Sequence, residues 1–183
     1  MSLEINKVNP GILLDEQLIK DFQKGSEEAF EVLFDRYFQK IFCYTFSFLK
    51  DHEEAKDLTQ EIFYKLYKGL KTYQEQGKFK SWMYSVARLT IINRFRKKGK
   101  EIVSCDQELV ETTGMSDSDN SSGGNDYLSS LSIVEREIIS LRILEKLPYE
   151  KISEITSLST SYLRKVVFRI LNRFRSEVSK NEM

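Results

Sequence analysis

Few residues in this chain could do covalent or metal chemistry. His52 is the one histidine among 183 residues, and it lies in Lys50-Asp51-His52-Glu53-Glu54, which reads as a polar turn between helices rather than a seat for a general base. The two cysteines, Cys43 and Cys105, are far apart and have no CxxC spacing, so they read as reduced thiols. One histidine and two scattered cysteines do not make a zinc site without carboxylates. Neither G-x-x-x-x-G-K-[ST] nor G-x-G-x-x-G occurs, so the usual phosphate cradles are missing. The expectation is a chain without catalytic residues, metal or cofactor.

What remains is the chemistry of binding. The chain carries 28 Lys+Arg and 28 Asp+Glu, a formal charge of zero, but the charges are segregated. Residues 78–100 hold Lys78, Lys80, Arg88, Arg94, Arg96, Lys97, Lys98 and Lys100 and no acid. Residues 101–126 hold seven acids, from Glu101 to Asp126, and no base. Residues 160–176 hold Arg164, Lys165, Arg169, Arg173 and Arg175, again without an acid. Local fields, not the total, decide whether a polyanion binds. One basic run is usually a solvated helix face. Two runs, each on an expected helix with aromatics interleaved, point to nucleic acid.

The elements that must carry these runs are helical. With 40% hydrophobic and 12% aromatic residues the chain is no solvated coil, and its length suits one ordinary domain or two small ones. No apolar run reaches the roughly 18–20 residues a bilayer requires, and the first residues lack the basic start and apolar block of a secretion signal. A cytoplasmic protein without membrane insertion is expected. After a short helix near Asp15 to Lys24, Ser26 caps a helix to about Lys50, with Phe30, Leu33, Phe34, Tyr37, Phe38, Ile41 and Phe42 as its stripe. Asp51 opens the next turn, and a helix from about Glu53 to Leu70 buries Ala55, Leu58, Ile62, Leu66 and Leu70. A further helix from about Lys80 to Lys98 is expected to bury Trp82, Val86, Leu89 and Ile92. Strand-like alternation is absent.

A small, polar stretch from Gly114 to Asn125 marks a flexible linker. The reading is therefore all-α: two small helical domains, residues 1–100 and 128–183, joined by an acidic linker over 101–127. In the second, Ser132 caps a helix with Ile133, Val134, Ile138, Leu141 and Leu144 apolar, and Pro148 stands at the next helix start. Tyr149 to Thr156 makes two turns with Ile152 and Ile155 inward, Ser157-Leu158-Ser159 turns the chain, and a helix begins at Thr160. That helix buries Leu163, Val166, Val167, Ile170 and Phe174. Helix, three-residue turn and basic helix make a helix-turn-helix, whose second member enters the major groove by its N-terminal residues. Thr160, Ser161, Tyr162, Arg164, Lys165, Phe168 and Arg169 then face base edges and phosphates. A plain helical hairpin with a solvated basic face has the same pattern.

Two segments of the first domain resemble a known family. Glu54-Ala55-Lys56-Asp57-Leu58-Thr59-Gln60-Glu61-Ile62-Phe63 resembles the A-x-D-L-x-Q-[ED]-x-F signature of bacterial sigma factors. Phe79-Lys80-Ser81-Trp82-Met83-Tyr84-Ser85-Val86-Ala87-Arg88 resembles the F-x-x-W-L-x-x-I-A-R that comes after it, and Leu131 to Arg175 resembles their fourth conserved region. With only these two domains, the chain resembles the extracytoplasmic-function group of the sigma-70 family. The resemblance implies that Asp57, Gln60, Glu61, Phe63, Tyr64 and Tyr67 dock on the clamp helices of the RNA polymerase core. It implies that Lys78, Lys80, Tyr84, Arg88, Asn93, Arg94, Arg96 and Lys97 meet the promoter's minus-ten element, with the loop from Thr72 to Lys78 holding a flipped base. The helix-turn-helix would take the minus-thirty-five element, and an anti-sigma factor would mask these faces. Trp82 is expected in the core. Leu89 stands where the family often has Asn, and Asn93 where it often has Asp. On the residues alone, the polar face of the 53–70 helix is equally a solvated surface. The runner-up for the whole chain is a helix-turn-helix regulator with an N-terminal sensing or dimerisation domain.

Overall fold

Between Gly25 and Gly69 there is neither glycine nor proline, and the chain uses this stretch for an antiparallel helical hairpin. The computed structural model describes residues 14–74, 77–99 and 130–181. Among them are seven α-helices and no strand: α1 (Asp15–Gln23), α2 (Glu27–Leu49), α3 (His52–Leu70), α4 (Phe79–Lys97), α5 (Ile133–Ile139), α6 (Tyr149–Thr156) and α7 (Thr160–Asn181). None is long and apolar enough to cross a membrane. The chain divides into two compact units, Met1–Asn93 and Arg94–Met183. The acidic segment 101–127 lies outside the described residues.

In the first unit one backbone and one side-chain hydrogen bond close the hairpin turn. Lys50 ends α2 in the left-handed region, at φ 56°, with its N–H on the Phe46 carbonyl at 2.9 Å. The Asp51 carboxylate accepts the Glu54 N–H at 2.8 Å and so caps α3, as Ser26 caps α2 by accepting from Ala29 N–H at 3.3 Å. Each cap is worth about 1 kcal/mol, less than one well-buried core side chain at about 1.5–3 kcal/mol. Packing therefore dominates. Leu33, Tyr37 and Ile41 of α2 and Ala55, Leu58, Ile62 and Leu66 of α3 are buried. Along one side of the hairpin runs an aromatic seam. Tyr67 meets Phe30 and Phe22 edge-on at 5.1 and 5.2 Å, Phe63 meets Phe34 at 4.6 Å, and His52 meets Phe42 at 5.1 Å. Helix α1 is tied down at both ends. Asp15 pairs with Arg36 and accepts from the Tyr37 hydroxyl, and the Gln23 amide donates to the carbonyls of Leu70 and Tyr73 at 2.9 and 2.7 Å.

Helix α4 lies in a different phase from the one its sequence suggests. The expected buried set was Trp82, Val86, Leu89 and Ile92; the buried residues are Phe79, Ser81, Met83, Tyr84, Ala87, Thr90 and Ile91. Leu89 is 60% exposed. Apolar residues lie on every side of this helix, so periodicity alone does not fix its roll. The face that wins puts Tyr84 edge-on against Tyr44 at 5.2 Å. It buries Thr90 without penalty, because the Thr90 hydroxyl donates to the Val86 carbonyl at 2.8 Å and accepts from Lys65 at 3.3 Å. Trp82 is half-buried rather than central, stacked 4.7 Å from Tyr73 and lying over Gly69. A Cβ at Gly69 would come within 2.9 Å of the indole, so this glycine in the last turn of α3 is what lets the ring lie on the helix.

The second unit opens with a reciprocal cap: Ser132 accepts the Glu135 N–H at 3.2 Å and the Glu135 carboxylate accepts the Ser132 N–H at 3.0 Å. Helix α5 then runs into a π turn, Ser140–Leu144, with Glu145 N–H on the Ser140 carbonyl at 3.1 Å. The extra residue in that turn rotates the side chains beyond it. Leu144, expected inside, is 62% exposed, and Leu147 is buried in its place. Leu131, Ile138, Leu141, Ile152, Ile155, Leu158, Leu163, Val166 and Ile170 complete this core; Phe174 is only half-buried.

These placements separate core from surface among neighbouring residues. Tyr84→Ala and Phe63→Ala should each lower the unfolding free energy by about 3–5 kcal/mol, whereas Leu89→Ala and Tyr64→Ala should stay within about 0.5 kcal/mol. Chemical denaturation of the four variants checks this; a Leu89→Ala loss as large as that of Tyr84→Ala would mean that α4 is rolled the other way.

Candidate nucleic-acid interface

The second unit presents its basic helix through a tight turn. Thr156, at the end of α6, donates its hydroxyl to the Ile152 carbonyl at 2.7 Å and accepts the Leu158 N–H at 3.3 Å. Ser157 takes the left-handed conformation, φ 62°, and Leu158 tucks into the core. The Ser159 hydroxyl caps α7 by accepting from Tyr162 N–H at 3.2 Å. The inward stripe Leu163, Val166, Val167 and Ile170 then fixes the roll of α7. Ser161, Tyr162, Arg164, Lys165, Phe168 and Arg169 are exposed and Thr160 is half-buried. Six of the seven residues expected to face DNA from this helix are thus exposed, over about three turns, with Thr160 half-buried at the helix start.

On α4 the expected residues divide. Lys78, Lys80, Arg96 and Lys97 are exposed, while Arg88, Asn93 and Arg94 are half-buried. Tyr84 is corrected: fully buried against Tyr44, it offers no stacking surface to an unpaired base. Leu89 is the exposed side chain beside the basic track. Of the loop expected to hold a base, Gln74 and Gly77 are exposed, with Gly77 at φ 68°, and residues 75 and 76 lie outside the described residues.

On α3, Asp57, Gln60 and Tyr64 are exposed and share one face; Glu61, half-buried beside them, pairs with Lys65 at 2.8 Å. Lys68 lies 4.3 Å above the Tyr64 ring on the same face, a partner that the motif did not point to. Phe63 is corrected: at 5% exposure it belongs to the seam with Phe34 and Phe38 and has no free apolar area. Tyr67 is half-buried. Its hydroxyl donates to Glu27 at 2.8 Å and Lys71 lies 4.7 Å over its ring, so it serves the fold first.

A family model described as Sigma-70 region 2 matches residues 33–101. RNA polymerase sigma factor YlaC of Bacillus subtilis (strain 168) is 30% identical over 163 residues, which is 84% of this chain and 92% of that protein. The chain belongs to the extracytoplasmic-function group of the sigma-70 family. The ECF RNA polymerase sigma-E factor of Escherichia coli (strain K12) is 29% identical over 173 residues, 86% of this chain and 90% of that one. Among solved structures, CnrH in complex with the cytosolic domain of CnrY matches with a TM-score of 0.63 at 14% identity, covering 91% of this chain and 97% of that one. At that identity the likeness speaks for the fold. This sigma factor acts in transcription initiation, and its region 2 match takes in α3 and α4, the helices with the polar face and the first basic track.

The turn of the helix-turn-helix carries one backbone cost. Left-handed conformation is unfavourable for an L-residue by about 1–2 kcal/mol and free for glycine. Ser157→Gly should therefore raise stability by about 0.5–1 kcal/mol after the entropy of the unfolded glycine is subtracted. Thermal unfolding reads this, and a fall in melting temperature would show that the Ser157 side chain contributes more than its conformation costs.

Proposed function

We propose that this sigma factor brings RNA polymerase core to particular promoters by dividing three tasks among three helices. The exposed face of α3 (Asp57, Gln60 and Tyr64, with Glu61 at its edge) takes the polymerase. Lys78 and the basic and amide residues of α4 (Lys80, Arg88, Asn93, Arg94, Arg96 and Lys97) take the melting minus-ten element. The outer row of α7 takes the minus-thirty-five element in the major groove. The observation that carries the reading is that α7 row: of the seven residues singled out for DNA contact, six are exposed to solvent on the second helix of a helix-turn-helix.

The protein does no chemistry in this reading. It binds strand-separated DNA better than duplex, with the cations tracking the backbone. It works in the cytoplasm, as a soluble chain, where core polymerase and promoters are. The acidic segment 101–127 is the tether between a region 2 domain over 1–100 and a region 4 domain over 128–183. CnrH is seen in complex with the cytosolic domain of CnrY; for this chain an anti-sigma partner covering the α3 and α7 faces is proposed. The alternative of an ordinary helix-turn-helix regulator has no specific observation in its favour, since the N-terminal unit is the part matched by the region 2 model.

The test is reconstitution. The purified chain added to bacterial core polymerase should give transcription from a subset of promoters, and failure to bind core would end the reading. Asp57→Ala and Gln60→Ala should each weaken binding to core by about ten-fold with unfolding unchanged. Lys165→Ala should weaken upstream-element binding by a similar amount for all sequences and lower the slope of log K against log salt by about 1. Titrations at several salt concentrations measure both.

A further inference from the structure

Three side chains gather around one outward arginine at the mouth of the helix-turn-helix. The Arg164 guanidinium lies 5.4 Å from the centroid of the Tyr149 ring, and its Nη2 is 3.7 Å from Glu150 Oε1. Tyr149 is itself held. The Arg142 guanidinium lies 4.7 Å from the same ring, and its Nη1 donates to the carbonyl of buried Leu147 at 3.0 Å. Arg142 reaches this position from the π turn, which ends α5 beside the start of α6. Among the described residues no such grip holds the neighbouring cations Lys165 and Arg169.

The Glu150–Arg164 pair adds little to stability, because both side chains are largely exposed, at 67% and 61%. A carboxylate beside the DNA-facing row also repels phosphates, so it does not serve general affinity. Its effect falls on the arginine. A free arginine loses much rotamer freedom when it docks; one set against a ring and a carboxylate samples fewer orientations of its planar fork beforehand. That fork matches the O6 and N7 acceptors of guanine in the major groove. We propose that Glu150 and Tyr149 are positioning residues that aim Arg164 at a guanine edge, raising selectivity at one base pair while lowering affinity for DNA in general. The inference rests on α7 being the DNA-facing helix.

Glu150→Gln should therefore move two quantities in opposite directions, which a merely structural role would not do. Holoenzyme reconstituted with the full chain is used to select from duplexes randomised across the upstream element, and the selected pool is sequenced. The unaltered protein should prefer guanine at one position, and Arg164→Ala should erase that preference. Glu150→Gln should reduce it by about 3- to 10-fold at the same position and leave the others unchanged. Binding to a mixed-sequence duplex at about 0.1 M salt should strengthen by about two-fold in Glu150→Gln. Tyr149→Phe should keep the preference and Tyr149→Leu should weaken it, since the ring face is what Arg164 lies on. The melting temperature of the Glu150→Gln chain should be unchanged. A Glu150→Gln variant that leaves untouched the position erased by Arg164→Ala, or that flattens every position equally, overturns the positioning role. If Arg164→Ala itself alters no position, Arg164 reads no base and this inference fails alone; if Lys165→Ala also leaves upstream-element binding unchanged, the DNA-facing assignment of α7 fails with it.

Discussion

The roll of a helix about its own axis is the constraint on which every surface of this protein depends. Helix α3 has charged or polar residues at Asp57, Gln60 and Glu61, but these form one face only because the other side is pinned twice over. The aliphatic stripe Leu58, Ile62 and Leu66 goes into the core, and the aromatic seam of His52, Phe63 and Tyr67 locks against Phe42, Phe34 and Phe30. A rotation of one residue, about 100°, would trade Phe63 for Tyr64. Phe63 then loses its ring contacts at about 0.5–1.5 kcal/mol each in addition to its buried area. The geometry of the outward face is thus set by contacts in which it takes no part.

Helix α7 reaches the same end by simpler means. Leu163, Val166, Val167 and Ile170 repeat at three and four residues, and the cations lie between them in sequence. Burial of that stripe leaves one orientation for Arg164, Lys165 and Arg169. The turn before it contributes through Leu158, which is drawn into the core while Ser157 accepts a left-handed backbone. Core packing outweighs local conformational preference at that position, as it does at Lys50 in the hairpin turn.

These differences explain what could be read without coordinates. Helices α3, α6 and α7 have clean amphipathic patterns, and Ser26, Asp51 and Ser159 cap α2, α3 and α7, so these extents and most of the buried residues of α3, α6 and α7 can be derived from the sequence. In α2 the expected stripe holds only at Leu33, Tyr37 and Ile41: Phe30, Phe34, Phe38 and Phe42 are half-buried, and Tyr44 and Phe48 are buried beyond it. Helix α4 has no such pattern. With Trp82, Met83, Tyr84, Val86, Leu89, Ile91 and Ile92 around its circumference, the choice of face rests on fit to Tyr44 and on a hydroxyl partner for Thr90. No pattern within α4 itself encodes either. Aromatic residues misled in a related way. Phe63 and Tyr84 lie within motifs whose outward neighbours concern partners, yet both rings go inward. The π turn after α5 is equally silent in the sequence, and it displaces Leu144 outward and brings Arg142 to Tyr149.

The charges complete the distinction between the faces. On α3 two of the cations are engaged: Lys65 with Glu61 at 2.8 Å, Lys68 over the Tyr64 ring at 4.3 Å. With Asp57 and Glu61 set among Lys56, Lys65 and Lys68, charges of both signs are interspersed on this helix, so it has little long-range field of one sign and suits a partner recognised by shape and hydrogen bonds at short range. On α7, Lys165 and Arg169 have no such internal partner among the described residues, so their field remains available to phosphates and to the salt-dependent part of binding. Arg164 stands between these cases. Its field is partly cancelled by Glu150, and what it loses in attraction to any phosphate it gains in definition of its fork. A DNA-facing row built only of free cations would bind tightly and discriminate poorly. In the reading proposed, one restrained arginine among free ones lets the same helix both hold the backbone and choose among bases.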